Sequence, residues 1–408
     1  MFSTFCPNHT IQRLAVKLKK KSETFLRQGH PWIFESSIQK INKEGQAGDV
    51  AIIFDQKKNK YLGLGLYDPY SPIRIKVLAH HKKENIDKDF FQRKIRDAFE
   101  LRSPLIEKNT NAYRLIFGEN DYLPGLIVDV YVDAVVVKLY SVIWIPYLHA
   151  ILNAIVEVIN VSVIVLRLSR LLQKEEVNTW GLLDGQILFG DLITAEVEFH
   201  EYGVKFLANV IKGHKTGYFL DHRHNRHKVG QLSNRKSVLD VFSYAGGFST
   251  HAIAGGAKEV VSIDISKHAL ALAQRNVQLN EPDAPHEIMV SDAFEGMQKL
   301  IDQGRSFDIV VVDPPSFAKM GADIPAAKKS YIRLASLASS LVNKGGLCVM
   351  ASCSSRIDRD VFFDLIEEGF DSKERSYRLL EKTFHDVDHP ISFPEGSYLK
   401  TGYYLMDE

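Results

Sequence analysis

The alternation of apolar and charged residues is clearest at residues 73–77 (IRIKV). Such alternation is typical of a strand with one buried face. Glycines separate the neighbouring apolar runs and indicate turns, at Gly45, Gly48, Gly63 and Gly65. We therefore expect a small β-rich module over residues 10–85.

A helical pattern follows at residues 89–102, where apolar side chains recur on one face, at Phe91, Ile95, Ala98 and Phe99. Pro104 marks its end. Residues 134–139 are predicted to form a strand and residues 145–159 a helix. Together they indicate an α+β unit over residues 89–190.

The last half of the chain alternates strand-like and helical patterns, which is typical of a doubly wound α/β sheet with parallel strands. The predicted strands are residues 238–242, 260–263, 288–290, 307–312 and 347–351. Helices are predicted at residues 248–254 and from Ser266, as the capping residue, to residue 279. This third domain is expected to span residues 195–408.

Composition narrows the class of protein. The chain has 408 residues, 45% of them hydrophobic and 25% charged, with a net charge of +1. This balance suits a globular protein of two or three domains. The first nine residues lack the apolar core of a signal peptide, and charged residues interrupt the apolar stretch 152–172, so no membrane span is predicted. The cysteines Cys6, Cys348 and Cys353 form no disulfide or metal pattern. We expect a cytoplasmic protein.

Polar residues follow the predicted strands at their carboxyl ends, where α/β sheets bind ligands. They are the glycine-bearing loop 242–247 (FSYAGG), Asp264, Asp292 and the sequence Asp313-Pro314-Pro315. A nicotinamide cofactor is the alternative, but the loop is not G-x-G-x-x-G and gives the Asp-Pro-Pro turn no role. A methyltransferase, in which a rigid turn holds polar groups against a flat base, is favoured.

Long motifs carry a resemblance over nearly the whole chain. They are residues 29–34 (GHPWIF), 71–76 (SPIRIK), 117–126 (FGENDYLPGL), 215–223 (KTGYFLDHR), 238–249 (VLDVFSYAGGFS), 313–319 (DPPSFAK), 352–354 (SCS), 388–390 (DHP), 393–396 (FPEG) and 398–400 (YLK). The chain resembles the PUA-domain-containing, S-adenosylmethionine-dependent large-subunit ribosomal RNA methyltransferases of the methyltransferase I type. The resemblance implies a β-barrel-like PUA domain, a central α+β domain and a Rossmann-like class I methyltransferase domain.

The same resemblance implies which residues bind S-adenosyl-L-methionine. Matching positions for the cofactor are Lys215, Tyr218, Phe219, Asp221, Arg223, Phe242, Ser243, Tyr244, Gly246, Asp264, Asp292, Ala293 and Asp313. Within this set, the methionine side would be lined by Phe242, Ser243, Tyr244 and Gly246. Asp264 would bind the ribose and Asp292 the adenine edge. The family pattern leads us to expect an amide at position 222 and an acid at position 224, but both are histidines.

Cys353 follows the fifth predicted strand among serines, which suits a nucleophile at the pocket rim. Carbon 5 of cytosine needs a thiolate to add at carbon 6 before methyl transfer. Asp313 is the candidate acid for the cytosine amine and ring nitrogen. The proton-removing base stays open between water and Asp313, because Ser316 stands where related two-cysteine enzymes carry their second cysteine. Lys319 or Arg356 could supply the positive charge that a thiolate needs. The alternative is guanine N7, which requires no covalent adduct.

The predicted partner is large-subunit ribosomal RNA. Basic residues cluster at Lys17, Lys19, Lys20, Lys21 and Arg27, and again at Lys205, Lys212, Lys215, Arg223, Arg226, Lys228, Arg235 and Lys236, where only Asp221 opposes them nearby. Such clusters bind phosphate even on a near-neutral protein. The substrate base would meet Pro314, Pro315, Phe317 and Lys319, with Phe317 or Tyr244 stacking on it.

Several alternatives stay open from the sequence. A non-catalytic RNA-binding or assembly factor and a small-molecule or DNA methyltransferase are the competing functions. No metal site is predicted, because the spacing of His222, His224 and His227 matches no familiar zinc pattern. The oligomeric state is undetermined, and a homodimer is one option.

Overall fold

A computed structural model of the protein describes residues 10–174 and 177–407. Cys6 and the first nine residues, for which no signal peptide was predicted, lie outside the described residues. The chain forms two compact units. The first contains residues 1–199, 208–220 and 387–396, and the second contains residues 200–207, 221–386 and 397–408.

The first unit begins with a six-stranded sheet in the order β2-β6-β5-β4-β1-β3. Its strands are β1 (Arg13–Leu18), β2 (Trp32–Phe34), β3 (Ile38–Ile41), β4 (Val50–Phe54), β5 (Tyr61–Tyr67) and β6 (Ile73–His80), with α1 (Lys20–Arg27) after β1. Alternate residues of β1 are fully buried, at Leu14, Val16 and Leu18. The predicted strand at residues 73–77 is confirmed within β6.

A second, five-stranded sheet in the same unit has the order β11-β10-β9-β8-β7. It comprises β7 (Ala112–Phe117), β8 (Leu126–Tyr131), β9 (Ala134–Leu139), β10 (Val163–Leu168) and β11 (Ile187–Phe189), with helices α2 (Lys88–Arg102), α3 (Pro104–Glu107) and α4 (Leu148–Val158). The helix predicted to begin at residue 145 begins at Leu148, because Pro146 lies in a preceding 3-10 turn, Val142–Tyr147. A two-stranded hairpin follows, formed by β12 (Glu196–Glu201) and β13 (Val204–Asn209).

The second unit holds a seven-stranded sheet in the order β16-β15-β14-β17-β18-β20-β19. Its strands are β14 (Ser237–Val241), β15 (Glu259–Asp264), β16 (His286–Val290), β17 (Phe307–Val312), β18 (Val342–Ser352), β19 (Tyr377–Thr383) and β20 (Lys400–Met406). The helices are α5 (Arg223–Leu232), α6 (Gly247–Ala254), α7 (Lys267–Asn280), α8 (Ala293–Asp302), α9 (Ile324–Leu341) and α10 (Arg359–Asp371). The order reverses between β14 and β17, and such a switch point is where ligands bind in these sheets.

Helices cover both faces of this sheet. Alternate residues of β14 face opposite ways, so that Leu239 packs with the core below α8, α9 and α10 and Val238 packs with α5, α6 and α7. The predicted α/β fold is therefore confirmed. The prediction that all strands of this sheet are parallel is wrong for one strand, because β20 runs antiparallel to both β18 and β19. After α10 the chain adds two further strands, which the alternating sequence pattern did not reveal. The domain limits 10–85, 89–190 and 195–408 stay predictions.

Candidate functional site

The loop after β14 is held in an unusual backbone conformation. Phe242, Tyr244 and Gly246 have φ angles of 64°, 49° and 71°. Left-handed conformations cost non-glycine residues energy and cluster at ligand sites. At Gly246 a side chain is excluded, because a Cβ there would lie 2.7 Å from the Cβ of Ala273 on α7. The loop therefore packs closely against α7.

Asp264 fixes this loop to the end of β15. Its Oδ2 accepts a hydrogen bond from the Tyr244 backbone N–H at 2.9 Å, and its Oδ1 accepts one from the Ser266 N–H at 2.8 Å. Between these anchors, the Oγ of Ser243 is buried and, within the described part of the chain, has no hydrogen-bond partner. An unpaired buried hydroxyl beside a strained loop is a place for a polar ligand atom.

Asp292 lies after β16 and caps α8. Its Oδ1 accepts from the Phe294 N–H at 2.9 Å and from the Glu295 N–H at 3.4 Å. The neighbouring Ala293 is buried in the core. The sequence analysis did not anticipate this capping contact, although an aspartate before a helix is a common cap.

The ends of β17 and β18 bring the two candidate catalytic residues together. These strands are parallel neighbours, with Val312 opposite Met350. The Sγ of Cys353 donates a hydrogen bond to the Pro314 carbonyl oxygen at 3.6 Å. The thiol therefore lies beside the Asp-Pro-Pro turn, as expected from strand order.

The two cysteines of β18 and its following loop differ in environment. Cys348 is fully buried, and that burial raises the pKa of its thiol. Cys353 is partly exposed. A thiol buried in apolar surroundings is inert, whereas a partly exposed one is accessible to a substrate.

Asp313 faces a buried histidine. Its Oδ1 lies 3.3 Å from the Nε2 of His222, an ion-pair separation. Burial alone would lower the pKa of His222, but the Asp313 carboxylate outweighs it and the pKa is raised. The Nδ1 of His222 lies 3.2 Å from the Nδ2 of Asn225. The histidine that departs from the family pattern thus contacts the candidate acid.

The remaining candidates for the substrate base lie near this turn. The ring of Phe317 is partly buried and makes edge contacts with Tyr331 and Phe242, at centroid distances of 5.3 and 6.4 Å. Pro315 and Lys319 are exposed and Pro314 is buried. Phe317 is therefore supported by other aromatic rings rather than projecting freely.

The predicted stretch 215–223 is divided between the units. In the first unit, the Lys215 ammonium lies 4.5 Å from the centre of the Phe219 ring, and the Tyr218 N–H donates to the Tyr131 hydroxyl at 3.0 Å. In the second, Asp221 accepts from the Tyr398 hydroxyl at 2.7 Å. Arg223 is buried and lies 3.2 Å from Asp386. The assignment of this stretch to the cofactor stays a prediction.

The second basic cluster needs a correction, because acids distant in sequence neutralise part of it. Arg226 is buried and makes two hydrogen bonds of 2.7 Å with Glu201. Lys228 pairs with Glu381, and Arg223 pairs with Asp386 as described. Burial opposes the charge on Glu201, yet Arg226 lowers the pKa of that carboxyl to about 2. These three cations are engaged within the protein.

The sequence analysis missed Lys400 as part of this site. Lys400 is the first residue of β20 and is only 1% exposed. Its Nζ donates to the carbonyl oxygens of Ser354 and Ile357, at 2.6 and 2.5 Å, in the loop that carries Cys353. A lysine among apolar residues near the chain's end was the available signal, although nothing in the sequence says what it contacts.

Two other features, a metal-binding group and a membrane-spanning helix, are not found among the described residues. Residues 10–174 and 177–407 contain no group of three histidine, cysteine, aspartate or glutamate side chains placed to hold a metal ion. Among the helices of these same ranges, none is sufficiently long and apolar to cross a bilayer.

Comparison with known proteins identifies the family. Residues 186–397 match the S-adenosylmethionine-dependent methyltransferase family and residues 16–80 match the PUA-like domain family. A ribosomal RNA large subunit methyltransferase of Deinococcus radiodurans is 38% identical over 98% of this chain and 99% of its own. The ribosomal RNA large subunit methyltransferase I of Escherichia coli is 34% identical over 94% and 97% of the two chains.

Solved structures agree on the fold. A candidate SAM-dependent methyltransferase from Streptococcus mutans superposes with a TM-score of 0.80 at 22% identity, covering 97% of this chain and all of its own. A second structure with the same values is a candidate methyltransferase in complex with SAH. The cofactor predicted from the sequence is confirmed as that of the family. The chain belongs to the S-adenosylmethionine-dependent ribosomal RNA large subunit methyltransferases.

Proposed function

We propose that this protein methylates cytosine C5 in large-subunit ribosomal RNA, through a covalent adduct with Cys353. The names of its relatives support the RNA substrate. The choice of C5 rests on one observation, the placement of the Cys353 thiol 3.6 Å from the carbonyl oxygen of Pro314, the residue that follows Asp313 in the chain. A thiol and an acid at adjoining strand ends are the two groups that the C5 reaction requires.

The residues around the loop after β14 suit the cofactor. Ser243 offers a buried hydroxyl that lacks a hydrogen bond within residues 10–174 and 177–407. Asp264 already accepts two backbone hydrogen bonds, but each carboxylate oxygen has a second lone pair for a ribose hydroxyl. We assign Phe242 and Ser243 to the methionine side, Asp264 to the ribose and Asp292 to the adenine. When bound, S-adenosyl-L-methionine supplies the electrophilic methyl group.

In the proposed reaction, Cys353 loses its proton and its thiolate forms a bond to carbon 6 of the cytosine. Asp313 holds the exocyclic amine and shares a proton with the ring nitrogen, so that negative charge does not build up on the ring. Carbon 5 then takes up the methyl group. Water or Asp313 removes the proton from carbon 5, and the bond between Sγ and carbon 6 breaks to regenerate the thiolate.

The accessory parts of the chain bring in the RNA. Three lysines of the first basic cluster remain available for phosphates, since Lys19, Lys20 and Lys21 are exposed, whereas Arg27 lies 3.8 Å from Glu23 and 3.9 Å from Asp55. The ion pairs of Arg223, Arg226 and Lys228 remove them from this role. The target base must leave its stack to reach the turn at Pro315, where Phe317 is the proposed stacking partner. A cytoplasmic location belongs to the proposal, and the oligomeric state stays open.

The test compares Cys353→Ala with its matched control Cys348→Ala, which lies in the core within β18, the strand that precedes Cys353. We expect Cys353→Ala to abolish methylation of ribosomal RNA while its affinity for S-adenosylmethionine, measured by calorimetry, stays within about twofold, because no covalent adduct can form. Cys348→Ala should remain active. Mass spectrometry of the RNA nucleosides identifies the product.

Each other outcome has a definite meaning. Methylation by Cys353→Ala at the wild-type rate, with 7-methylguanine as product, would replace C5 by guanine N7, which is nucleophilic without an adduct. No binding of S-adenosylmethionine to the wild-type protein would favour a non-catalytic RNA-binding factor.

A further inference from the structure

Lys400 is a buried cation whose direct hydrogen-bond partners are all neutral. Its Nζ donates to the carbonyl oxygens of Ser354, Ile357 and Tyr398, at 2.6, 2.5 and 3.4 Å. Within residues 10–174 and 177–407, no carboxylate lies within ion-pair distance of this ammonium. Burial of an ammonium without a counter-ion costs several kcal/mol. Such an arrangement is informative because a methionine or leucine would fill the same space without that cost.

Lys400 interacts with the residues on both sides of Cys353. Across the antiparallel pair, Lys400 lies opposite Ser352, and its ammonium binds the carbonyl of Ser354. The residue between these two contacts is Cys353. Burial lowers the pKa of Lys400 to about 8, and the largest opposing influence among charged groups is Cys353, ahead of Asp358. Lys400 is thus hydrogen-bonded to the residue after Cys353 and paired across the sheet with the residue before it.

The other cations considered from the sequence are less suited to this role. Lys319 is exposed. Arg356 is also exposed, and its Nε donates to the Lys319 carbonyl oxygen at 3.1 Å. Water and salt weaken the field of an exposed charge, whereas a buried charge is screened much less.

We propose that Lys400 is the positioning residue of Cys353, ordering the loop 353–357 through backbone carbonyls and stabilising the thiolate next to its ammonium. The Cys353 proton passes to solvent, and the ammonium–thiolate pair remains. The inference rests on the proposed function for the catalytic use of Cys353, but the reactivity of the thiol is measurable without any methylation.

The experiment follows alkylation of Cys353 by iodoacetamide between pH 5 and 10, using mass spectrometry of the peptide that contains it. Lys400→Gln keeps N–H donors for the carbonyls but removes the charge, and Lys400→Arg keeps the charge. Lys319→Gln and Arg356→Gln are the matched controls. Cys348 in the same samples reports unfolding, because it reacts only when the core opens.

We expect Lys400→Gln to shift the alkylation profile upward by about one pH unit, which is a tenfold loss of reactivity at pH 7. Its kcat should fall with it, while the KM for S-adenosylmethionine stays unchanged. Lys400→Arg should retain most of the reactivity, and the alkylation profiles of Lys319→Gln and Arg356→Gln should match that of the wild type. A Lys400→Gln profile equal to wild type, or equal shifts in the controls, would overturn the proposal.

Failure of this proposal is distinguishable from failure of the covalent mechanism. If Cys353→Ala methylates normally but Lys400→Gln still shifts the alkylation profile, Lys400 controls the thiol and the C5 mechanism is wrong. If Cys353→Ala is inactive and the profile of Lys400→Gln is unshifted, only the role of Lys400 is wrong. If Lys400→Gln unfolds, Cys348 is alkylated rapidly, and the test then depends on Lys400→Arg. This variant keeps the positive charge, so the proposal requires its alkylation profile to equal that of the wild type.

Discussion

Strand β17 has an aspartate near each end, and the two differ in what surrounds them. At the amino end, Asp308 accepts from the Ser237 N–H at 2.9 Å and from the Asn343 side chain at 3.0 Å, and it lies 3.3 Å from the Lys258 ammonium. Partial burial opposes ionisation, but these contacts outweigh it and lower the pKa of Asp308 to about 2. The polar groups around Asp308 therefore satisfy one another.

Among the residues that the structure describes, Asp313, just beyond the carboxyl end, has a single side-chain ion-pair contact, with His222 at 3.3 Å. Around it, Asp240 Oδ1, Ser243 Oγ and Ser354 Oγ are buried and form no hydrogen bond within the described part of the chain. Buried polar atoms without partners are rare unless a ligand uses them. The comparison indicates that the polar groups around Asp308 stabilise the fold, and it leads us to expect that those at the carboxyl end serve binding.

Exchange of each aspartate for asparagine tests this comparison most strongly. Asp313→Asn should lower kcat on ribosomal RNA by about 10²–10³-fold, since general acid–base groups contribute at that level, with a change below about 1 kcal/mol in the free energy of unfolding. Asp308→Asn should lower that free energy by about 1–3 kcal/mol and leave kcat unchanged. Urea unfolding and a methylation assay measure both, and equal kcat losses in the two variants would contradict the comparison.

At the carboxyl end of the sheet, Asp240 should also make the free energy of unfolding depend on pH. Burial raises the pKa of Asp240 to about 7, and repulsion from Asp313 and Asp264 adds to burial, against hydrogen bonds from Ser249. A raised folded-state pKa stabilises the protein below the unfolded value, and that contribution is lost as pH rises from about 4 to about 7. The decline should be about 4 kcal/mol, because the pKa shift is about 3 units and each unit corresponds to about 1.4 kcal/mol.

Asp240→Asn should remove this decline, measured as the free energy of unfolding of variant and wild type between pH 4 and 8. Asp308 supplies the opposite sign, because its lowered pKa stabilises the protein above pH 4 and this contribution is lost as pH falls toward 2. An Asp240→Asn curve parallel to that of the wild type from pH 4 to 8 would show that Asp240 titrates normally.

The sequence predicted the features that depend on local pattern. The strand Phe307–Val312 was located without error, since an apolar run bounded by polar residues determines a buried strand. The adjacency of Asp313 and Cys353 followed from strand order. The contact of Lys400 with the Cys353 loop could not be predicted, because its acceptors are backbone carbonyls as many as 46 residues away. The pairing of Arg226 with Glu201 was also missed, because these residues are 25 positions apart with strand β13 between them.

The smallest expected effect compares two serines at opposite ends of β14. The Oγ of Ser243 is buried and has no partner within the described residues, whereas that of Ser237 donates to Asp308 at 3.1 Å. Ser243→Ala should leave the free energy of unfolding unchanged or raise it by up to about 1 kcal/mol, because it removes an unsatisfied buried hydroxyl. If that hydroxyl binds the cofactor, its loss should weaken affinity for S-adenosylmethionine about 3–10-fold, measured by calorimetry. Ser237→Ala should do the reverse, losing about 1 kcal/mol of stability at unchanged affinity. If Ser243→Ala is destabilised but binds S-adenosylmethionine with wild-type affinity, the Ser243 hydroxyl stabilises the fold. The two ends of β14 would then not differ in the way proposed.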